Sequence, residues 1–369
     1  MDPRDAPRAH AQTIEDCRRG LADLMVDAHL EVAPGMAERY GAMARRTWGT
    51  EALSRIDHLA QAMAVGEPDV FSAHMEGSIA ALRARHVADE DIAAHVRTLH
   101  DVLESHLPPE AADAARPFVA AAVKAASAPS HCAEPGLLES SSRDATLARL
   151  YLLHLLQREA GEALSLAMDA RRGGMTLAEC YERVLAPALA EVGRMWQVQE
   201  ASIADEHYCT ASTRSIVTQL RAAAPVPPAD GRRAICCSVA GDLHDTGSRM
   251  AADLLELDGW TVEFLGANVP AAEVVLQVED AASEPGRGFD LVLAGASTTL
   301  CLRAAIDLVG AMAASSVARS VPVLLGGAPF AAHPRLWRSI GAAAGAATLS
   351  DAVVEAARLV PAPNGQRAK

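Results

Sequence analysis

The last third of the chain alternates short, continuously apolar runs with helical stretches, and this alternation constrains the fold more than any other feature. The apolar runs are 234–240, 262–265, 291–294 and 321–325. The helical stretches between them are 248–257, 271–282 and 299–314. Continuous apolar runs are typical of parallel strands buried on both faces. We therefore predict a doubly wound parallel sheet of the α/β class, which binds ligands at the carboxyl ends of its strands.

The rest of the chain has helical periodicity without strand signals. Apolar residues recur at helical spacing over 1–126, and 145–224 holds four helical stretches with short connections. Clusters of Ser, Pro and Gly indicate linkers at 127–144 and 225–231. The sequence thus predicts a multidomain chain: an all-α N-terminal bundle, a four-helix bundle and an α/β domain over 232–369.

Charge and composition exclude several functions. The formal net charge of the 369 residues is −14, which argues against nucleic acid, because phosphate binding requires a basic surface. No apolar run reaches the ~18 residues of a membrane-spanning helix, and no apolar core of a secretory signal follows Met1. The scattered cysteines fit a reducing compartment. We therefore expect a cytoplasmic protein with neither DNA nor membrane as a partner.

A polar loop directly after the first predicted strand carries the motif D-x-H-x-x-G, formed by Asp242, His244 and Gly247. A histidine at the carboxyl end of a strand is placed to ligate a bound group. Asp242 can accept the proton of the other ring nitrogen, which fixes the tautomer and raises the basicity of the ligand. Gly247 leaves room where the chain turns into a helix.

Small residues end the next strands along the sheet. Ser297 follows the third predicted strand, and Gly326 and Gly327 follow the fourth. Each alone would be an ordinary turn or cap residue. Because the carboxyl ends of parallel strands meet at one edge, these residues and His244 together predict a narrow slot that runs into the sheet.

These motifs resemble those of cobalamin-binding modules, in which a helical cap precedes a flavodoxin-like corrinoid-binding domain; the resemblance covers residues 145–360. It implies that His244 is the lower ligand of cobalt and that Asp242 supports it. It also implies that several small residues bind the displaced dimethylbenzimidazole tail: Gly247, Ser297, Thr299, Gly326 and Gly327. The family often has leucine at the place that Thr299 takes here.

A second pattern lies in the four-helix bundle, where nine residues separate Trp196 from Glu206 and His207. This W-x9-E-H pattern resembles the cap of photoreceptors that use adenosylcobalamin, in which these side chains contact the adenosyl group. The resemblance implies a light sensor in which photolysis of the upper Co–C bond changes cap packing and quaternary structure. Its partners would be further copies of this chain and a downstream signalling protein. Gln197 stands where the DNA-binding repressor branch has a histidine, which leaves His207 as an alternative upper ligand.

Two other functions remain open. A corrinoid methyl carrier passes methyl groups between methyltransferases and leaves the upper face of the cofactor open to them; the cap residues favour light sensing over this alternative. A cobalamin or tetrapyrrole sensor without photochemistry is the third. No phosphate loop, nucleophile elbow or zinc-type cysteine cluster occurs. We therefore expect a sensor or binding protein rather than an enzyme.

Residues 1–126 are rich in histidine: His29, His58, His74, His86, His95, His100 and His106. A histidine-rich helical domain joined to a cobalamin module resembles the photocobilins, and this implies biliverdin as a second chromophore. Four arginines are available for its propionates: Arg45, Arg46, Arg83 and Arg85. Cys132 could attach a bilin covalently. The alternative is a plain dimerisation bundle whose histidines are solvated or half-buried.

Overall fold

The computed structural model describes residues 5–33, 35–127 and 141–362, and the chain divides into two compact units, Met1–Ala133 and Glu134–Lys369. The predicted fold class is confirmed. The described part of the first unit is helical, and the second unit combines a helical cap with a parallel five-stranded sheet. Cys132 lies outside the described residues.

The first unit consists of helices joined by short connections. They are α1 (Asp5–Val32), α2 (Met36–Tyr40), α3 (Ala44–Val65), α4 (Pro68–Ala84), α5 (Asp89–His106) and α6 (Pro109–Ser127), with a 3-10 turn at Gly41–Met43. Gly66 ends α3 in the left-handed conformation, which favours glycine, and prolines begin α4 and α6, where a missing N–H costs nothing. Helix α1 packs on α3 and α5, and α4 packs on α6. The core is apolar apart from a few polar side chains.

The second unit begins with the helical cap. Its helices are α7 (Arg143–Leu156), α8 (Ala160–Arg172), α9 (Leu177–Cys180), α10 (Ala186–Gln197) and α11 (Ile203–Ala222). A π-helical turn, Tyr181–Leu185, joins α9 to α10. Pro187 explains this turn, because it has no N–H to donate to the carbonyl four residues earlier. Capping boxes at Thr176 and Ser202 fix where α9 and α11 begin.

The α/β part has strands β1 (Arg233–Val239), β2 (Thr261–Val269), β3 (Leu291–Gly295), β4 (Val323–Gly326) and β5 (Ala344–Ala346). Its helices are α12 (Thr246–Leu257), α13 (Ala271–Ser283), α14 (Leu302–Ala314), α15 (Ala328–Ala332), α16 (Leu336–Ile340) and α17 (Leu349–Leu359), and 3-10 turns lie at Thr299–Cys301 and Ala318–Ser320. All strand pairs are parallel, in the order β2-β1-β3-β4-β5. This is the doubly wound order, in which the direction of winding reverses between β1 and β3.

The fifth strand was absent from the sequence prediction, which identified four apolar runs. Strand β5 is the three-residue segment Ala-Gly-Ala, which lacks the β-branched and aromatic side chains that signal a strand. It exists because its backbone pairs with β4. Strand β2 also runs beyond its apolar run, since it continues through Gly266 to Val269.

The cap packs on the α/β part through one shared apolar cluster. Tyr151 and Tyr181 of the cap lie in the same buried cluster as Met250 and Leu254 of α12. Inside it, the hydroxyl of Tyr181 donates to the carboxylate of buried Asp253 at 2.8 Å. The cap is therefore held against the face of α12 by both apolar packing and a buried hydrogen bond.

Candidate functional site

Three strand ends meet at the point where the winding of the sheet reverses. Ser238 of β1 pairs with Gly295 of β3, and Gly295 pairs with Gly326 of β4. The loop after β1 and the residues after β3 and β4 therefore lie at one edge of the sheet. This is the position at which doubly wound sheets bind ligands.

Asp242 is the best-satisfied polar group of this edge. Its side chain is 1% exposed and accepts hydrogen bonds from His244 N at 3.0 Å, His244 Nδ1 at 3.2 Å, Ser297 N at 2.6 Å and Ser297 Oγ at 2.7 Å. Burial disfavours the charged carboxylate, but the hydrogen bonds from His244 and Ser297 outweigh it and hold the pKa of Asp242 below its usual range. Asp242 is therefore a fixed, charged acceptor for the histidine.

His244 is oriented by this carboxylate. Because Nδ1–H donates to Asp242, a neutral ring carries its lone pair on Nε2, and the side chain is 61% exposed. The hydrogen bond to Asp242 raises the pKa of His244, burial opposes this, and the charges of Asp242 and then Glu206 add to the rise. A basic, outward-facing imidazole with its second nitrogen held by a carboxylate is the donor that a metal ligand requires.

The glycines at the slot divide into two kinds. A side chain at Gly247 would meet open space, and at Gly326 it would reach only ordinary contact distance from Ala346. At Gly327, where φ is +113°, a Cβ would overlap the carbonyl oxygen of Ala296. Beside Gly247, the buried hydroxyl of Thr246 has no hydrogen-bond partner among the described residues. The open space at Gly247 and the unpartnered hydroxyl of Thr246 are available to a bound group, whereas at Gly327 the backbone itself requires glycine.

Two predicted slot residues have different surroundings. Ser297 hydrogen-bonds to Asp242 and lies 3.1 Å from His244 Nδ1, so it supports the histidine. Thr299 begins a 3-10 turn and is half-buried. Contact of Ser297 and Thr299 with a cofactor tail stays a prediction.

Sequence reasoning missed several residues that hold the histidine loop. Ser238 Oγ donates to the carbonyl of His244 at 3.0 Å and lies 2.9 Å from Ser248 Oγ. Arg214 of α11 forms an ion pair with Asp245, one residue beyond the histidine. A serine inside an otherwise apolar buried strand was a usable signal for Ser238. Nothing in the sequence connects Arg214 with this loop.

The cap residues lie at the ends of two consecutive helices. Trp196 is in the last turn of α10 and is 47% exposed. Glu206 and His207 are in the first turn of α11, where His207 Nδ1 and Glu206 Oε2 are 2.6 Å apart and the His207 side chain is 72% exposed. Among the described residues, Glu206 hydrogen-bonds to His207 and Thr210, and neither Glu206 nor His207 hydrogen-bonds to Trp196.

The seven histidines of the first unit fall into three groups. His86, His100 and His106 are exposed, as the dimerisation-bundle alternative expects. The rings of His58 and His74 are half-buried and stacked, with centroids 3.4 Å apart. The expectation of solvated or half-buried rings is wrong for His29 and His95, which are fully buried because they lie on the inner faces of α1 and α5.

Three of the four arginines proposed for a bilin form ion pairs with acidic side chains. Arg45 pairs with Asp27, Arg83 with Asp89, and Arg85 with Glu51, while Arg46 is exposed. No group of three or more His, Cys, Asp or Glu side chains is placed to hold a metal ion within residues 5–33, 35–127 and 141–362.

Comparison with protein families identifies the domains in which these residues lie. Residues 232–357 match the family described as B12 binding domain, and residues 147–221 match a second family with the same description. These two segments form a B12-binding module. The module begins after the first unit, and it contains His244 and the cap residue Trp196. The cobalamin part of the resemblance is thereby confirmed.

Individual relatives agree with the module. Dimethylamine corrinoid protein 1 of Methanosarcina acetivorans is 24% identical over 216 residues, which cover 56% of this chain and 97% of the relative. Dimethylamine corrinoid protein 2 of the same organism is 24% identical over 197 residues, covering 53% and 87%. The structure of the monomethylamine corrinoid protein of Methanosarcina barkeri is 21% identical, covers 58% of this chain and 98% of its own, and has a TM-score of 0.50. The last similarity concerns the fold.

None of the described helices is long and apolar enough to cross a membrane.

Proposed function

We propose that the B12-binding module carries a corrinoid with His244 as the lower cobalt ligand, and that the chain works as a methyl-carrying corrinoid protein with methyltransferases as its partners. One observation carries this proposal: the alignment spans 97% of a relative named as a dimethylamine corrinoid protein. The sequence had made this role the alternative to light sensing, and the relatives favour it over light sensing.

The residues of the chain have distinct tasks in this role. When bound, a corrinoid supplies a cobalt centre that can carry an alkyl group on its upper side. His244 would hold the cobalt, Asp242 keeps the proton on Nδ1, and Ser297 anchors Asp242. The exposed side chains of Trp196 and His207 would be available to contact a partner enzyme.

Light sensing is the second candidate, and the cap favours it. Trp196 exposes nearly half of a large apolar side chain in the last turn of α10, and an adenosyl group would cover such a surface. The charge of Glu206 contributes to the raised pKa of His244, which supports a position of the first turn of α11 near the proposed lower ligand. In this candidate the cofactor is adenosylcobalamin, and photolysis changes the oligomeric state and the contact with a signalling protein.

One experiment separates the two candidates. The full chain is loaded with methylcobalamin or adenosylcobalamin, and affinity, absorption and oligomeric state are measured in the dark and after green illumination. A methyl carrier should bind both forms with similar affinity, transfer the methyl group to a partner, and keep its oligomeric state in light. A light sensor should prefer the adenosyl form and change its oligomeric state on illumination.

A matched pair of cap variants sharpens the result. Trp196→Ala should abolish a preference for adenosylcobalamin if the indole covers the upper ligand. Leu153→Ala, at an exposed apolar residue of α7, should leave that preference unchanged. If the wild type has no preference and transfers no methyl group, both candidates are wrong and the non-photochemical sensor is left.

We also propose the domain division with linkers at 127–144 and 225–231, and we assign biliverdin binding to 1–126 as part of the second candidate. Co-expression with a source of biliverdin tests the assignment. Red absorption of the purified full chain supports it. Absence of red absorption contradicts the biliverdin assignment. In that case, a change of oligomeric state on deletion of 1–126 would indicate a dimerisation bundle.

A further inference from the structure

Arg55 is a buried charge in the first unit for which the described residues supply no partner. It lies on α3, is fully buried, and none of its three guanidinium nitrogens has a hydrogen-bond partner in the described part of the chain. Glu51, one turn earlier, is the acid whose charge reaches it. The Glu51 carboxylate accepts from Ser78 at 3.2 Å and lies 3.9 Å from Arg85. Among the described residues, no acid therefore forms an ion pair with Arg55.

This arrangement is unfavourable unless something else neutralises the charge. Burial lowers the pKa of Arg55 to about 10, which still leaves the guanidinium protonated at neutral pH. An unpaired charge in a protein interior is strongly destabilising, and arginine does not escape this by losing its proton. Water could satisfy the N–H groups but could not neutralise the charge.

Further unpartnered polar atoms lie in the same part of the unit. His29 and His95 are fully buried, with their Nδ1 atoms 3.1 Å apart. One neutral ring must donate from Nδ1 and the other accept, so the pair has opposite tautomers. One Nε2 is then a donor and the other an acceptor; neither makes a well-formed hydrogen bond to a described residue, although the backbone of Asp91 lies near His29. The pair thus offers one donor and one acceptor to a third group.

The buried histidines lie within electrostatic range of the arginine. Burial lowers the pKa of His29, His74 and His95, and the charge of Arg55 lowers each further. His74 Nε2 is likewise buried and without a described partner. Trp48 lies 4.5 Å from the His29 ring and 4.8 Å from the His95 ring, centre to centre. Side chains from α1, α3, α4 and α5 therefore converge on one interior region.

We propose that this region is a binding site for an oxyanion, with Arg55 holding a carboxylate of the ligand and the free histidine nitrogens making further hydrogen bonds to it. A carboxylate fits because it supplies the missing negative charge and accepts two parallel hydrogen bonds from a guanidinium. It could come from a small free acid or from the side chain of a larger pigment. This inference does not depend on the function proposed for the B12-binding module.

The test uses the full chain and probes that separate the two sources. Acetate and inorganic phosphate represent small anions. Biliverdin represents a pigment with two carboxylates, and its dimethyl ester keeps the pigment but removes their charges. Affinity and the shift of the unfolding temperature are measured for the wild type, for Arg55→Met, and for Arg19→Met, at an exposed arginine of α1 that serves as the matched control.

We expect at least one carboxylate or phosphate probe to raise the unfolding temperature of the wild type and of Arg19→Met. Arg55→Met should lose ten-fold or more in affinity for that probe. Without any probe, Arg55→Met should be at least as stable as the wild type, because it removes an uncompensated charge. That last result also shows that lost binding is not lost folding.

Three outcomes would overturn the proposal. The first is that no probe stabilises the wild type. The second is that Arg55→Met binds every probe as well as the wild type does. The third is that the dimethyl ester binds as tightly as biliverdin while acetate and phosphate do not bind.

Discussion

Two buried charged side chains, one in each unit, have opposite surroundings. In the B12-binding module, Asp242 accepts four hydrogen bonds, and all of them come from His244 and Ser297. In the first unit, Arg55 and the Nε2 atoms of His29 and His95 have no partner among the described residues. Buried polar groups are normally satisfied. The polar groups around Asp242 are already paired within the protein, whereas the polar atoms around Arg55 are available to a ligand.

The largest effect should come from His244→Ala. This change removes the nitrogen that we propose as the lower cobalt ligand, while the loop keeps the Ser238 contact to its backbone. Loss of a metal ligand should lower cobalamin affinity by roughly 100-fold, or leave the cofactor bound through its own base with a shifted absorption spectrum. Titration of the full chain with cobalamin measures both. His100→Ala, at an exposed histidine of the first unit, is the control.

An unchanged spectrum and affinity in His244→Ala would remove the lower-ligand assignment. The matches to B12 binding domains would still stand, because they do not depend on that single side chain.

The same contrast explains what the sequence could predict. The strands, the helical cap and the D-x-H-x-x-G loop are local patterns, and parallel strand ends meet at one edge by the geometry of the fold. Asp242 and His244 are two residues apart, so their pairing was readable. The site proposed at Arg55 combines residues from four helices. No local sequence pattern shows how these helices pack or that Arg55 is buried without an acidic partner.

Tertiary contacts also give some predicted residues a task that the sequence did not indicate. At Gly327, predicted to line the slot, the positive φ and the closeness of Ala296 also exclude any side chain. Ser297, predicted beside the cofactor tail, also anchors Asp242. Strand β5 has no strand propensity of its own and forms by pairing with β4. Each of these depends on distances that a sequence pattern does not contain.

Acid should destabilise the first unit. Burial lowers the pKa of His29 to about 4, below the ordinary 6.5 that it regains on unfolding. Between these values the unfolded chain binds a proton that the folded unit does not, so stability is lost as the pH falls from about 6.5 to 4. At about 1.4 kcal/mol per pKa unit, His29 alone should contribute roughly 3 kcal/mol to the loss.

Hydrogen exchange of the full chain at pH 7 and at pH 4.5 measures this separately for peptides of each unit. Peptides of α1 and α5 should lose protection in acid more than peptides of β1 and β3 in the sheet. His29→Gln should reduce the difference, whereas the exposed His106→Gln should leave it unchanged. Equal loss of protection in both units would contradict the expected role of the buried histidines.

Two glycine variants distinguish a glycine that the backbone requires from one that leaves space for a ligand. Gly327→Ala should destabilise the module by roughly 2–3 kcal/mol, because the residue has a positive φ and the new Cβ would overlap the Ala296 carbonyl. Gly247→Ala should leave stability within about 0.5 kcal/mol, since nothing lies near its Cβ and alanine favours the helix. We expect Gly247→Ala instead to weaken cobalamin binding. Urea unfolding and cobalamin titration distinguish the two effects, and equal behaviour of both variants would contradict the division.

The smallest expected effect comes from Tyr181→Phe. This variant tests whether a buried carboxylate of the module depends on a hydrogen bond from within the chain. The hydroxyl of Tyr181 donates its one proton to Asp253 at 2.8 Å, with the carbonyl oxygen of Val217 farther away at 3.3 Å, and Asp253 is fully buried. Tyr181→Phe leaves the ring packed but removes one donor from a buried carboxylate. Asp253 keeps its hydrogen bonds from Arg249, so the cost should be about 1–2 kcal/mol rather than that of a bare buried charge.

Urea unfolding of the cofactor-free chain measures this loss, with Tyr208→Phe as the control, because the Tyr208 hydroxyl has no hydrogen bond to any described residue. The informative comparison is with Arg55→Met under the same conditions. Removing a partner from the module should cost stability, whereas removing the unpaired charge from the first unit should not, because Asp253 has hydrogen-bond partners within the chain and Arg55 has none among the described residues. If Tyr181→Phe were neutral and Arg55→Met were strongly destabilising, the contrast between the two units would be reversed. Arg55 would then have a partner inside the protein, and no ligand would be needed to explain its burial.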